Sequence, residues 1–226
     1  MAIWERTRRG LLLPFRFPGL LVLSVAYSGL LYGASWQTGL LDMSSPTWVA
    51  SVAALLLLSP IYHALVLPGI HAALRMQPAG WRGITQDTLS RFAPLFVGQL
   101  VSGVAVLVGA LLLVVPGIVI GMRLIYYKQS IVFERRAPSV ALRESLAVSR
   151  DVRSTVFLFL ALVVLYGAAV GLDVLLTLQG PSIAVHVGAV LGTALLILWM
   201  NILVTEAYFS RCAARNPVAD SPNEPV

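Results

Sequence analysis

Hydrophobic positions dominate this chain so heavily that the polar ones do the punctuating. Five long apolar runs are separated by short polar or basic stretches: 18–41, 48–74, 92–133, 156–178 and 183–209. Each is long enough to cover the roughly 20 residues a helix needs to cross a bilayer. The third is twice too long for one crossing: as a single helix it would be roughly 63 Å long, against a hydrocarbon core of about 30 Å. It contains a Pro-Gly pair, Pro116-Gly117, in "LVVPGIVIGMRLIYYKQ". Proline lacks an N–H and glycine tolerates either sign of φ, so the pair predicts a reversal between two spans, 92–115 and 116–133.

Charge supports that division. With six spans the connections alternate sides. All but one of the sixteen Lys+Arg then fall in or within a few residues of the N-terminal segment, the 75–91 connection, the 134–155 connection or the C-terminal tail. The short links near Asp42, Pro116 and Gln179 carry none, and the exception is Arg123 inside span four. This is the positive-inside pattern, and it predicts both termini in the cytoplasm. With five spans, Arg135, Arg136, Arg143, Arg150 and Arg153 would all have to be translocated.

The expected fold is therefore all-α. It is a polytopic bundle of six transmembrane helices in a single membrane domain over 1–215, followed by a polar, Pro-rich tail over 216–226 that reads as disordered. Composition agrees: 58% of residues are hydrophobic, 12% are charged and mean hydropathy is +0.85. That is too little charge for a water-facing surface. The net charge of +6 forms no nucleic-acid stripe, and one cysteine excludes a disulfide framework.

Two segments outside the spans are patterned. "MAIWERTRRGLLLPFRF" mixes arginines with Trp4, Leu11 to Leu13 and Phe15, which reads as an N-terminal interfacial helix. "APSVALRESLAVSRDVR", 137–153, reads as a cytoplasmic amphipathic helix starting at Pro138. Its apolar face would be Leu142, Leu146 and Val148 or Ser149, with Arg143, Glu144 and Arg150 opposite. Such a helix serves as a surface connector or as a docking site for a protein partner.

"LVLPGIHAALRM" at 65–76 aligns with "LVVPGIVIGMRL" at 113–124 at a constant offset of 48, from duplication or from convergence on one local geometry. Glycines four apart recur at Gly29/Gly33, Gly117/Gly121, Gly167/Gly171 and Gly188/Gly192. Such pairs permit close helix approach in lipid, and the last two predict that spans five and six cross there. Self-dimerisation is the competing use, and the oligomeric state stays open.

Depth counting places His63, Gln99, Arg123 and Asn201 near the midplane, where an arginine costs roughly 2.5–3.5 kcal/mol on insertion scales. Arg123 either bonds carbonyls freed by Pro116 or snorkels, or it centres a polar pocket that binds an anionic headgroup or solute. Asp173 with His186, and Lys128 with Glu206, match in depth and read as ion pairs. Tyr126, Tyr127, Trp36 and Trp48 read as interfacial anchors. No catalytic constellation is visible: there is no HExxH, no phosphate loop and no carboxylate pair at one depth. His63 and His71, eight apart, diverge by about 80° around a helix, a poor ligand geometry. Neither an enzyme, a metal nor a cofactor is expected.

Pro116, Gly117, Ile118, Arg123, Tyr126 and Glu134, followed by Ser139, Ala141, Leu142, Ser145 and Ser149, form a pattern that resembles the bacterial YciC-like membrane proteins. It is similar, too, to the membrane domain attached to some glycerophosphoryl diester phosphodiesterases. Leu146 stands where that pattern has tryptophan. The resemblance spans about 92–165 and implies a six-span bundle in the bacterial inner membrane without catalysis of its own. The expected function is non-catalytic: lipid binding, or a scaffold within a membrane assembly. The alternative is a small permease with a solute path through the midplane cluster.

Overall fold

The computed structural model describes residues 12–36, 46–75, 81–178 and 183–215, and every element among them is helical. A turn of helix over 12–16 leads into α1 (Pro18–Trp36). There follow α2 (Pro46–Leu74), α3 (Trp81–Leu112), α4 (Val114–Arg123) and α5 (Tyr127–Glu134). The chain ends with α6 (Pro138–Val148), α7 (Val152–Leu178) and α8 (Ile183–Arg215). Four stretches are long and apolar enough to cross a membrane: Leu56–Leu74, Ser90–Leu112, Val152–Gly171 and Ile183–Ala213. The apolar part described in α1, Pro18–Leu30, is shorter. Most of the expected N-terminal interfacial helix, the end of the first span and the 216–226 tail lie outside the described residues.

The long apolar run does reverse, but at Leu113 rather than at Pro116. Leu113 is extended, at φ −164° and ψ 140°, and links α3 to α4. Pro116 lies in the first turn of α4, where its missing N–H removes no intrahelical bond. Gly117 makes the fold-back tight: a Cβ there would stand 2.7 Å from the Ala110 nitrogen and 2.8 Å from its Cα. Farther down the hairpin, a Cβ on Gly98 would meet Ile131 and Tyr127 at 2.9 and 3.2 Å, so α5 continues back along α3. Leu111 to Val115, at the tip, are all more than two-thirds exposed.

The expected fourth span is thus two short helices rather than one. They are roughly 15 and 12 Å long, too short to cross alone, and are separated by turn residues 124–126. A left-handed residue, Arg135 at φ 53°, ends α5 and starts the turn into α6. Asp151 then opens α7: its carboxylate accepts from Ser154 Oγ at 2.5 Å, a bond that holds the acid below its ordinary pKa.

Packing corrects three expectations. Gly167 and Gly171 face open space, so α7 and α8, which do pack together, do not meet through that glycine pair. Tyr126 and Tyr127 are buried, at 0% and 7% exposure, not interfacial anchors. The buried face of α6 is Ala141, Ser145 and Val148, while Leu146 is exposed. That face is turned from the expected one because its serines have partners in the bundle.

Candidate functional site

The break between α4 and α5 strips two backbone groups of their helical partners: the Arg123 carbonyl and the Tyr126 amide. Both are satisfied from α6. Ser145 Oγ donates to Arg123 O at 2.8 Å and accepts from Tyr126 N at 3.1 Å. Ser149 Oγ lies 3.1 Å from the same Arg123 carbonyl. Ser145 and Ser149 are four apart, hence on one helix face, and both are 0% exposed. Two hydroxyls thus stand in for the missing helical bonds, as an apolar surrounding requires.

Arg123 belongs to this same junction. Its Nη1 donates to Ser149 O at 3.0 Å, at the C-terminus of α6, where carbonyls lack helical donors and the dipole favours a cation. Arg211 from α8 works beside it, donating to Thr155 Oγ1 at 3.0 Å and Ser154 Oγ at 2.6 Å, with its guanidinium 4.8 Å over the Tyr126 ring. Arg123 therefore does not bond the carbonyls near Pro116. Nor does it join His63, Gln99 and Asn201 in one pocket.

His63 and Asn201 instead belong to a second polar cluster, where α1, α2, α5 and α8 converge. Ser59 O lies 2.6 Å from His63 Nδ1 and, being a carbonyl, can only accept. Nδ1 therefore carries the proton, leaving Nε2 to accept from Lys128 Nζ at 3.0 Å. The expected Lys128–Glu206 pair is thus replaced by Lys128–His63. Next to His63, the Tyr62 hydroxyl is 3.0 Å from Ser24 Oγ, and the Tyr62 ring stacks on Tyr27 at 4.2 Å. Asn201 Nδ2 donates back to Ile197 O at 2.9 Å and lies within reach of Tyr62. Gln99 is not among these contacts; its carbonyl accepts from Ser102 Oγ at 3.1 Å within α3. The Asp173 side chain lies outside the described residues, so its pairing with His186 is not described.

A third arrangement joins the ends of α5, α6 and α8. Glu134 accepts from Tyr208 Oη and from Arg136 Nε, and Arg136 Nε also lies 3.0 Å from Glu144. Ser130 Oγ donates to Glu144 at 2.5 Å.

Two cavities open at this end. The larger, of about 710 Å³, is walled by Leu13 and Phe17 from the N-terminal turn, Leu74 and Arg75 from α2, and Glu206 and Phe209 from α8. The smaller, of about 370 Å³, shares His71, Arg75 and Phe209 with it and reaches Arg91, Glu134 and Tyr208. Neither is lined by Arg123, His63, Gln99 or Asn201. Among the described residues, no group of three His, Cys, Asp or Glu is arranged to hold a metal.

Sequence reasoning named Ser145 and Ser149 within the resemblance but gave them no bonding role, and it missed Tyr62 and the arginines of the larger cavity. The serine pair had a readable signal: two small hydroxyls four apart in a helix that follows a broken apolar segment. Compared with known protein families, curated proteins and solved structures, the chain matches none.

Proposed function

We propose that this chain is a non-catalytic integral protein of the bacterial inner membrane that binds lipid or holds a membrane assembly. It would have six membrane-inserted segments and both termini in the cytoplasm. The fourth segment is the broken α4–α5 pair, anchored by α6. The observation that carries this reading is that Arg123, the most expensive midplane residue, is spent on the α6 C-terminus. That bond ties α4 to α6 and gives Arg123 a structural role. Arg75 and Arg211, lying at the ends of α2 and α8 where the cavities open, support a cytoplasmic position for that end. The aliphatic tip at Leu111 to Val115 supports a turn held in the acyl region of the opposite leaflet. The resemblance to YciC-like membrane proteins remains part of this proposal. It is supported by the way Arg123, Tyr126, Ser145 and Ser149 meet at one junction.

Two measurements test it. After Cys212→Ser, a single cysteine at position 143 reacts with a membrane-impermeant maleimide only when the cytoplasmic face is opened. Reaction from the periplasm in intact cells overturns the topology. Arg123→Leu lowers the melting temperature in detergent, because a charge-assisted bond of about 1.5–3 kcal/mol is lost, while lipid retention stays unchanged. If lipid is lost and stability is not, Arg123 is a ligand-binding residue after all.

A further inference from the structure

We propose that the larger cavity is a binding site for an anionic phospholipid of the adjoining leaflet, with its phosphate held between Arg16 and Arg75. This rests on the lipid-binding reading above and names its site and ligand class.

The cavity wall divides by chemistry. Leu13, Phe17 and Leu74 supply an apolar surface, while Arg16 and Arg75 bring two permanent charges against one carboxylate, Glu206. Both arginines are exposed, so their guanidinium groups are free to close on a phosphate with paired N–H donors. His71 lines both cavities. Its ring is stacked on Phe209 at 4.6 Å and tilted against Phe133 at 5.3 Å, so its orientation is set by packing. Its Nε2 is buried and has no hydrogen-bond partner. That nitrogen is closed to both cavities, so His71 contributes to the wall through its ring.

Volume decides between a lipid and a small anion. At about 710 Å³ the space is of the size that takes a whole organic ligand, and far exceeds what one phosphate fills. A headgroup with the first part of its acyl chains fits both the size and the apolar wall. The cavity also opens at the end of the bundle where Arg75, Arg91 and Arg211 lie, the end that faces an anionic leaflet in the proposed topology.

The test uses the full chain in detergent micelles, read by native mass spectrometry against phosphatidylglycerol, phosphatidylcholine and inorganic phosphate. Phosphatidylglycerol binds at least about tenfold tighter than phosphatidylcholine, whose choline ammonium would be held beside the same two cations, and millimolar phosphate does not displace it. Arg16→Gln and Arg75→Gln each remove that preference. Ala213→Phe, which fills the cavity from an exposed lining position, blocks both lipids and leaves the melting temperature unchanged. Arg150→Gln, the same charge change away from the cavity, has no effect. Displacement by phosphate, or equal loss in Arg150→Gln, overturns the site. If the wild type holds lipid that survives all three cavity variants, this site falls and lipid binding stands; if it holds none, both fall.

Discussion

Residues 65–76 and 113–124 begin with almost the same words, Leu-Val-(Leu/Val)-Pro-Gly-Ile, and do opposite things. The first passes through α2 without interruption, with Pro60 and Pro68 both inside the helix. The second starts with a break at Leu113, and the chain folds back on itself. Pro-Gly-Ile therefore does not encode a turn. The difference lies in the residues eight and seven before the glycine. Ahead of Gly117 they are Gly109 and Ala110, small enough for backbone to lie on backbone; ahead of Gly69 they are Ile61 and Tyr62. A hairpin at Leu65 would drive Gly69 into a tyrosine. The turn needs a smooth partner surface as well as a permissive pair.

The strongest way to break this comparison is to give the second stretch the bulk of the first. In Gly109→Ile, even the Cβ would stand 2.8 Å from Ile120 Cδ1 and 3.0 Å from the Gly117 Cα. The substitution should destabilise by about 3 kcal/mol or more, at or above the usual range for overpacking. Thermal unfolding in detergent measures this, with Gly167→Ala as the control: nothing lies within 4 Å of a Cβ there, so it is neutral or stabilises by up to about 1 kcal/mol, as Gly→Ala inside a helix does. Equal behaviour of the two variants would remove the explanation.

Next in size is the junction that only the second stretch possesses. Ser145→Ala leaves the Tyr126 amide without its partner, while Ser149 still serves the Arg123 carbonyl, and costs about 1–3 kcal/mol, the penalty for an unsatisfied buried group. Ser149→Ala costs less, because Ser145 still serves the shared carbonyl. The pair is non-additive, which a double-mutant cycle in the same assay detects.

The smallest effect sharpens the comparison by its sign. Pro68→Ala restores an N–H inside α2 and should be neutral or slightly stabilising. Pro116→Ala lies where no helical bond was lost, and releases conformational freedom in the unfolded chain, so it destabilises by up to about 1 kcal/mol. Matching signs at both positions would mean that the two prolines play one role.

Much of the helical layout was legible. Runs of apolar residues are one-dimensional, and lipid rewards length and hydropathy with little regard to neighbours. That made 48–74, 156–178 and 183–209 readable to within a few residues at most ends, and it exposed the excess length of 92–133. The candidate site was less legible. Depth counting grouped Arg123 with His63, Gln99 and Asn201 and paired Lys128 with Glu206, whereas Arg123 bonds Ser149 and Lys128 bonds His63. Depth is only one coordinate, and the angle around each helix and the identity of its neighbours supply the others. The face of α6 was misread for a related reason. Periodicity assumed that apolar residues turn inward, whereas here the interior offered two unpaired backbone groups and serines answered them.

The amino-acid order alone determined that the chain is helical and apolar, that the run beyond Ser90 must double back, and that cations gather in the N-terminal segment, the 75–91 and 134–155 connections and the tail. Those properties follow from local composition and from the cost of placing charge in hydrocarbon. Only the tertiary structure decided where the turn falls, that the fourth segment breaks, which partners Arg123 and Lys128 take, and that Arg16 and Arg75 share a cavity. Each of these depends on which surfaces are free to meet across scores of residues, and an unpaired carbonyl or an ammonium in an apolar interior binds the donor or acceptor that packing brings within 3 Å.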